Sequence, residues 1–210
     1  KRLVKSDDIK AWKATEILND LENEKALSLV DSEFSAGKII LLGEHAAVYG
    51  KHALAVPILN AVGANVSLSK EKTKININEW NLNETIKREN YTGIGGIINT
   101  IYDSFEIKDL NFTINVSSSL PRGMGLGSSA AISVAIIRAV SKFIEANISN
   151  EEINDIAFSC EKLAHGSPSG IDNTLSCFGK PILFQKNKSP NYEIVKLNEL
   201  PPLLIGFSRH

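Results

Sequence analysis

A glycine-rich segment, residues 121–131, has the residue types needed to bind an anion. Glycines occupy every second position at Gly123, Gly125 and Gly127, and two serines follow at once. Glycine lets the backbone turn through positive φ and approach a ligand closely, and the first N–H groups of a helix lack internal partners. A helix that begins at the serines would present converging donors and its positive dipole end to a phosphate. A glycine-rich turn that only caps a helix is the alternative for this segment alone.

The flanking residues place this segment between a strand and a helix. Residues 112–116 are rich in β-branched and aromatic side chains, and residues 130–140 form an apolar run. The segment lacks a lysine after its last glycine, so it is not a Walker A loop. It also lacks an acidic residue at the required distance after a second strand, so it is not a dinucleotide-binding fingerprint. Another type of phosphate site is therefore expected.

Local patterns along the chain predict an α+β fold. Helical spacing predicts helices over residues 7–30, 91–105, 129–147 and 150–165, with a short helix near 171–177. Strand patterns cover residues 38–42, 53–58, 61–68, 75–77, 108–119, 181–184 and 192–197. Pro57 is expected at a sheet edge or a bulge. Because strands and helices do not alternate strictly, we expect a mixed sheet with helices packed on one face.

Composition bounds the class of protein. The 210 residues are 43% hydrophobic and 22% charged, which is typical of a globular protein. A formal net charge of -1 gives no reason to expect nucleic acid or an anionic membrane as a partner. No signal-peptide pattern and no membrane-spanning run is present, and Cys160 and Cys177 are expected to be free thiols in a cytoplasmic protein. The first residue is Lys1, and the strand-like run 203–207 has no natural stop, so a longer parent protein is expected.

Two further segments are read together with the glycine loop. Residues 35–38, Ser-Ala-Gly-Lys, lead into Gly-Glu-His-Ala-Ala-Val-Tyr-Gly at 43–50. Residues 161–173 read Glu-Lys-Leu-Ala-His-Gly-Ser-Pro-Ser-Gly-Ile-Asp-Asn. In this order the three segments resemble the GHMP kinase superfamily and, within it, the mevalonate kinases. The glycine loop is shared across the superfamily, whereas the other two segments are more specific. Galactokinases would carry an arginine before Gly-Glu-His, and phosphomevalonate kinases usually lack the His-Gly-x-Pro-Ser-Gly run.

This resemblance covers residues 34–207 and implies the GHMP kinase N-terminal domain, a fold like domain 2 of ribosomal protein S5. Residues 1–33 would be an amphipathic helical extension of unassigned role. The implied reaction is ATP-dependent phosphorylation of the primary hydroxyl of mevalonate, or of a similar small hydroxy acid, in isoprenoid precursor synthesis. Such a kinase is compatible with a homodimer.

The resemblance also implies a role for each matching residue. Asp172 would accept the proton of the hydroxyl, and Lys38 would stabilise the developing alkoxide charge. Ser129 and Glu161 would be ligands of Mg²⁺. Together with Lys38 and Asp172, Glu44 and His45 would contact the acceptor. The residues matching the ATP-binding loop are Pro121, Gly123, Gly125, Leu126, Gly127, Ser128, Ser129 and Ala130. Trp80 is a loose match to a position near the adenine.

Each of these residues also has an ordinary structural interpretation. Lys38 alone would fit a surface lysine, Asp172 a helix cap, and Glu161 an i,i+4 partner of His165. Trp80 would more often be a core residue. Two departures from the family pattern are clear: Ser35-Ala36 replaces the usual Ala-Pro, and nothing after Asp172 resembles the third, C-terminal glycine-rich motif. Another GHMP kinase and a non-catalytic relative therefore stay as alternatives.

Overall fold

The computed structural model describes residues 32–197, 199 and 202–205. The helix predicted over residues 7–30 lies outside these residues, as does almost all of the predicted N-terminal extension. Both therefore remain predictions. None of the helices in the described part is long and apolar enough to cross a membrane.

Strands and helices are mixed along the described chain. The strands are β1 (Glu33–Leu42), β2 (His52–Leu68), β3 (Lys74–Ile77), β4 (Leu82–Thr85), β5 (Phe112–Ser118), β6 (Ile182–Gln185) and β7 (Tyr192–Ile194). The helices are α1 (Glu44–Val48), α2 (Gly93–Ser104), α3 (Ser128–Phe143), α4 (Asn150–His165) and α5 (Ile171–Phe178), with a 3₁₀ turn at Asn78–Trp80.

One mixed sheet organises the fold. Its strand order is β4-β3-β5-β2-β6-β7, and β1 also pairs with β2. The β3–β5 pair is parallel, and the other described pairs are antiparallel. The predicted α+β fold with a mixed sheet is confirmed.

β2 is one long strand where the sequence predicts two. It bends at Asn60, whose φ is 50°. β5 pairs with residues 62–68 and β6 with 52–55, so the stretch between them faces neither strand. Pro57 lies in that stretch and is opposite only Lys38 of β1. Because no strand pairs with the other side of β2 at this point, the missing N–H of proline breaks no hydrogen bond to a second strand. The sequence predicts an edge or a bulge at Pro57, and the structure has a local gap in the pairing of an interior strand there.

Helix α3 joins the sheet to the outer helices. Twelve of its 16 residues are buried, and it packs against β1, β2, α4 and α5. β5 supplies Phe112, Ile114 and Val116 to the same core, in the alternation expected of a strand with one buried face. The start of α3 and the buried part of β1 are therefore held at fixed positions relative to each other.

Both cysteines are free, as expected from the sequence, and both are buried. Burial raises the pKa of Cys160 and of Cys177 from 9.0 to about 12. Since the thiolate is the reactive form, each thiol should hold about a thousandfold less thiolate at pH 8 than an exposed cysteine. We expect Ellman's reagent to label neither thiol in the folded protein and both after unfolding in guanidinium chloride. Rapid labelling of either one before unfolding would contradict the buried placement.

Candidate active site

Lys38 and Asp172 form an ion pair between β1 and the first turn of α5. The Lys38 Nζ lies 3.1 Å from the Asp172 Oδ1. Lys38 is buried, whereas the Asp172 side chain is 30% exposed. Gly170, which precedes α5, has a φ of 96° and turns the chain into the helix. The predicted base, Asp172, and the lysine predicted to stabilise the alkoxide charge are therefore adjacent, and the carboxylate is reachable from solvent.

Ser129 and Glu161 form a second pair between α3 and α4. The Ser129 hydroxyl donates a hydrogen bond of 2.8 Å to the Glu161 Oε1. A capping box between Ser149 and Glu152 fixes the start of α4, and the packing of α4 on α3 brings Glu161 over the start of α3. Both residues predicted as Mg²⁺ ligands thus present oxygen atoms to one place.

Glu161 is the most buried ionisable side chain of the site, since only 4% of it is exposed. Burial raises the pKa of Glu161 above its usual value, and the negative charge of Asp172 acts in the same direction. The Ser129 hydrogen bond and the neighbouring His165 and Lys38 side chains oppose the rise. The His165 Nε2 lies 3.8 Å from the Glu161 Oε2, which is the i,i+4 pair expected from the sequence. Because Glu161 is affected by both members of the ion pair, the two pairs belong to one site.

All three glycines of the loop have a left-handed backbone conformation. Gly123, Gly125 and Gly127 have φ values of 71°, 75° and 70°, a region that other L-residues rarely adopt. Gly127 is the N-cap of α3, and no side chain caps that end of the helix. The first N–H groups of α3 therefore remain available to an anion, which favours a phosphate site over a turn with only a capping role.

The remaining predicted loop residues differ in exposure. Pro121 and Leu126 are half-buried, Ser128 and Ala130 are buried, and Ser129 is half-buried. Leu126 packs against the core, and its carbonyl accepts a hydrogen bond from the Lys38 N–H at 2.9 Å. This backbone bond between the loop and β1 was not predicted from the sequence.

Glu44 and His45 lie on the short helix α1, just beyond the end of β1. Both are exposed, and within the described residues no hydrogen bond or ion pair joins either of them to Lys38 or Asp172. The preceding Gly43 has a φ of 85°, and a Cβ there would lie 2.2 Å from the His52 carbonyl oxygen. The sequence therefore forces a tight turn at this point, and the acceptor role of Glu44 and His45 stays a prediction.

Trp80 lies beside the start of the glycine loop. Its Nε1 donates to the Leu120 carbonyl at 3.2 Å, and the Arg122 guanidinium lies 5.7 Å from the centre of its ring. The indole also packs partly against the core. Its structural role is evident, and the loosely matched adenine contact stays untested.

The oxygen atoms of Ser129 and Glu161 suit a hard divalent cation. Mg²⁺ commonly takes one or two protein oxygens and fills its other positions with phosphate oxygens and water. Among the described residues, no group of three or more histidines, cysteines, aspartates or glutamates is arranged to hold a metal. The donor set therefore fits an ion shared with a nucleotide better than an ion held by protein side chains alone.

Comparison with known proteins identifies the domain. Residues 93–180 match the family model of the GHMP kinases N terminal domain, and this range includes the glycine loop, Ser129, Glu161 and Asp172. Residues 93–180 thus belong to the GHMP kinase N-terminal domain family. Lys38, Glu44 and His45 precede the matched range.

Known relatives of this chain include mevalonate kinases. The mevalonate kinase of Pyrococcus furiosus is 33% identical over 189 residues, which are 81% of this chain and 55% of that protein. The crystal structure of the Methanococcus jannaschii mevalonate kinase superposes with a TM-score of 0.66 at 25% identity, covering 79% of this chain and 56% of that one. A Lactococcus lactis galactokinase complexed with galactose shares the fold, with a TM-score of 0.63 at 20% identity over 88% of this chain and 52% of that one. The chain thus spans about half the length of its relatives.

Proposed function

We propose that this chain is part of an ATP-dependent kinase that transfers the γ-phosphate to the primary hydroxyl of mevalonate and forms 5-phosphomevalonate. The observation that carries the proposal is the convergence of two pairs, Lys38–Asp172 and Ser129–Glu161, at the uncapped start of α3. Phosphoryl transfer needs an aligned acceptor, compensation of phosphate charge and a group that takes the acceptor proton.

Proton transfer is assigned to Asp172. Its half-exposed carboxylate has room to accept the hydroxyl proton of the acceptor as the oxygen attacks the phosphorus. The Lys38 ammonium, 3.1 Å from that carboxylate, would also stabilise negative charge on the attacking oxygen. Because Lys38 is buried, its position is set by packing rather than by solvent.

Phosphate binding is assigned to the glycine loop and the first turn of α3. The open left-handed backbone of the loop and the free N–H groups of Ser128, Ser129 and Ala130 surround one anion site. Ser129 and Glu161 would hold Mg²⁺ beside it. A bound Mg²⁺ supplies neutralisation of phosphate charge and orientation of the transferred group.

We choose mevalonate as the acceptor because the similar proteins include mevalonate kinases. The galactokinase neighbour indicates that the same fold serves a different alcohol in another protein. His45 would suit an acidic acceptor because an imidazolium pairs with a carboxylate. A non-catalytic relative is disfavoured because Lys38, Asp172, Ser129 and Glu161 are all present and are brought together. The proposed enzyme would act in the cytoplasm, where it would take part in isoprenoid precursor synthesis.

The acceptor is tested by measuring ADP release by the full-length protein with a panel of alcohols. The panel contains mevalonate, 5-phosphomevalonate, galactose and homoserine, each with Mg-ATP, and a no-acceptor control measures background hydrolysis. We expect mevalonate to give the highest kcat/KM by at least an order of magnitude. A site that hydrogen-bonds a polar group of its substrate strongly disfavours analogues that lack this group. Turnover of another alcohol without mevalonate turnover would overturn the specificity, and no turnover with any alcohol would favour a non-catalytic relative.

A further inference from the structure

Two hydrogen bonds join β1, the strand that carries Lys38, to the glycine loop and the start of α3. The Lys38 N–H donates to the Leu126 carbonyl at 2.9 Å, and the Ser35 hydroxyl donates to the Ala131 carbonyl at 2.6 Å. These two hydrogen bonds hold β1 against the end of the loop and the first turn of α3. Any movement of residues 126–127 therefore reaches Lys38 directly through its own backbone.

Gly127 lies against the ion pair, and there is no room for a side chain at this position. A Cβ on Gly127 would lie 2.8 Å from the Lys38 Cγ and 3.6 Å from the Asp172 Oδ2. The first distance is shorter than carbon–carbon contacts allow. The Lys38 Cγ is close to the backbone of a buried strand residue, so it has little freedom to move aside. The space left by Gly127 is the space through which Lys38 reaches Asp172.

The other two glycines of the loop provide a contrast. Gly123 and Gly125 share the left-handed backbone of Gly127, with φ values within a few degrees of each other. A Cβ on Gly123 or Gly125 would meet nothing within 4 Å. These two glycines are thus explained by backbone conformation alone, whereas Gly127 is required by conformation and by its contact with Lys38.

We propose that Gly127 is a positioning residue that sets the geometry of the Lys38–Asp172 pair, in addition to its place in the phosphate loop. The inference rests on the proposed kinase function for its catalytic consequence. Its structural content, that residue 127 controls the distance between Lys38 and Asp172, is independent of which reaction the site performs.

The test compares Gly127→Ala with Gly123→Ala and Gly125→Ala in the full-length protein. The three variants introduce the same side chain at nearly the same φ, so backbone strain is matched. We expect Gly127→Ala to lower kcat at saturating ATP and acceptor by about 100-fold, as expected when a catalytic group moves by an ångström. Gly123→Ala and Gly125→Ala lie in the same phosphate loop, so they should weaken ATP binding, measured by calorimetry, and should lower kcat less than Gly127→Ala does, because neither Cβ would touch Lys38.

A crystal structure of each variant provides the readout that does not depend on turnover. Gly127→Ala should lengthen the Lys38 Nζ–Asp172 Oδ1 distance beyond 3.1 Å and break the ion pair, while Gly125→Ala leaves it intact. An unchanged ion pair in Gly127→Ala, or a kcat loss no larger than in Gly125→Ala, would overturn the proposal. If the parent protein has no kinase activity, the proposed function fails and the distance still decides this inference.

Gly37→Ala serves as the second variant if Gly127→Ala does not fold. Gly37 lies on β1 outside the left-handed region, and its Cβ would approach the Leu126 carbonyl oxygen to 3.1 Å and the Leu120 Cδ1 to 2.9 Å. It pushes on the same loop carbonyl from the strand side without straining φ. A loss of kcat with a displaced Leu126 carbonyl supports the coupling, and parent-like kcat with that carbonyl displaced contradicts it.

Discussion

Asp172→Asn is expected to lower kcat by about 10³–10⁴-fold, which is the upper range for removal of a general base. Asparagine has the same shape as aspartate but cannot accept the proton, and it no longer pairs with the charge of Lys38 at 3.1 Å. ATP affinity should stay near that of the parent, because the phosphate donors come from the glycine loop and α3 rather than from Asp172. Single-turnover kinetics and calorimetric titration of ATP measure the two effects separately.

Asp155→Asn is the matched control for this prediction. Asp155 is exposed on α4, and the same change there removes a negative charge without touching the site. Its kcat should equal that of the parent. Retention of parent-like turnover by Asp172→Asn would remove Asp172 from the mechanism, and a parallel loss of ATP affinity would indicate a binding role instead.

The sheet and the large helices could be predicted because their hydrophobic patterns are long and regular. β5 alternates buried and less buried side chains, and the 16 residues of α3 carry a broad apolar surface. β4 and α1 were not predicted: with four and five residues, they are too short to show a period. β2 was predicted as two strands because Pro57 and Asn60 interrupt its pattern, and its pairing with β1 along both halves overrides that local signal.

The site was predictable in its residues but not in its distances. The glycines at 123, 125 and 127 imply positive φ, which the structure has at each position. Lys38 and Asp172 are far apart in the chain, and only the resemblance to a family suggested that they meet. The contact between Gly127 and Lys38 depends on the register of β1 against the loop, which follows from three-dimensional packing and has no signature in local sequence.

Glu161→Gln is expected to have opposite effects on catalysis and on stability. Loss of the carboxylate should lower kcat on the order of 100-fold, because an amide is a weaker ligand for the Mg²⁺ assigned to this position. Glutamine has the same shape, and its amide oxygen is still able to accept the hydrogen bond that Ser129 donates at 2.8 Å. The fold should therefore be retained, and the catalytic loss would report the missing charge.

The stability of the metal-free protein should respond to pH in a defined direction. Burial raises the pKa of Glu161 above 4.5, so the folded state holds this proton more tightly than the unfolded state does. The stability that depends on Glu161 is therefore greatest below pH 4.5 and falls as the pH rises through the folded-state pKa. Glu161→Gln lacks that fall, so its free energy of unfolding relative to the parent should increase from pH 4 to pH 7. Urea unfolding across this range, without Mg²⁺ or nucleotide, measures the difference.

Two further variants separate the charge of Glu161 from other causes. Glu89→Gln makes the same change at an exposed position and should follow the parent at every pH. Ser129→Ala removes the second oxygen ligand and leaves the carboxylate in place, so it should lower kcat without the gain in stability at pH 7. If Glu161→Gln is less stable than the parent at pH 7 in the absence of metal, the contacts of the carboxylate with Ser129 and His165 outweigh its burial, and Glu161 is a structural ion rather than a charge held for a ligand.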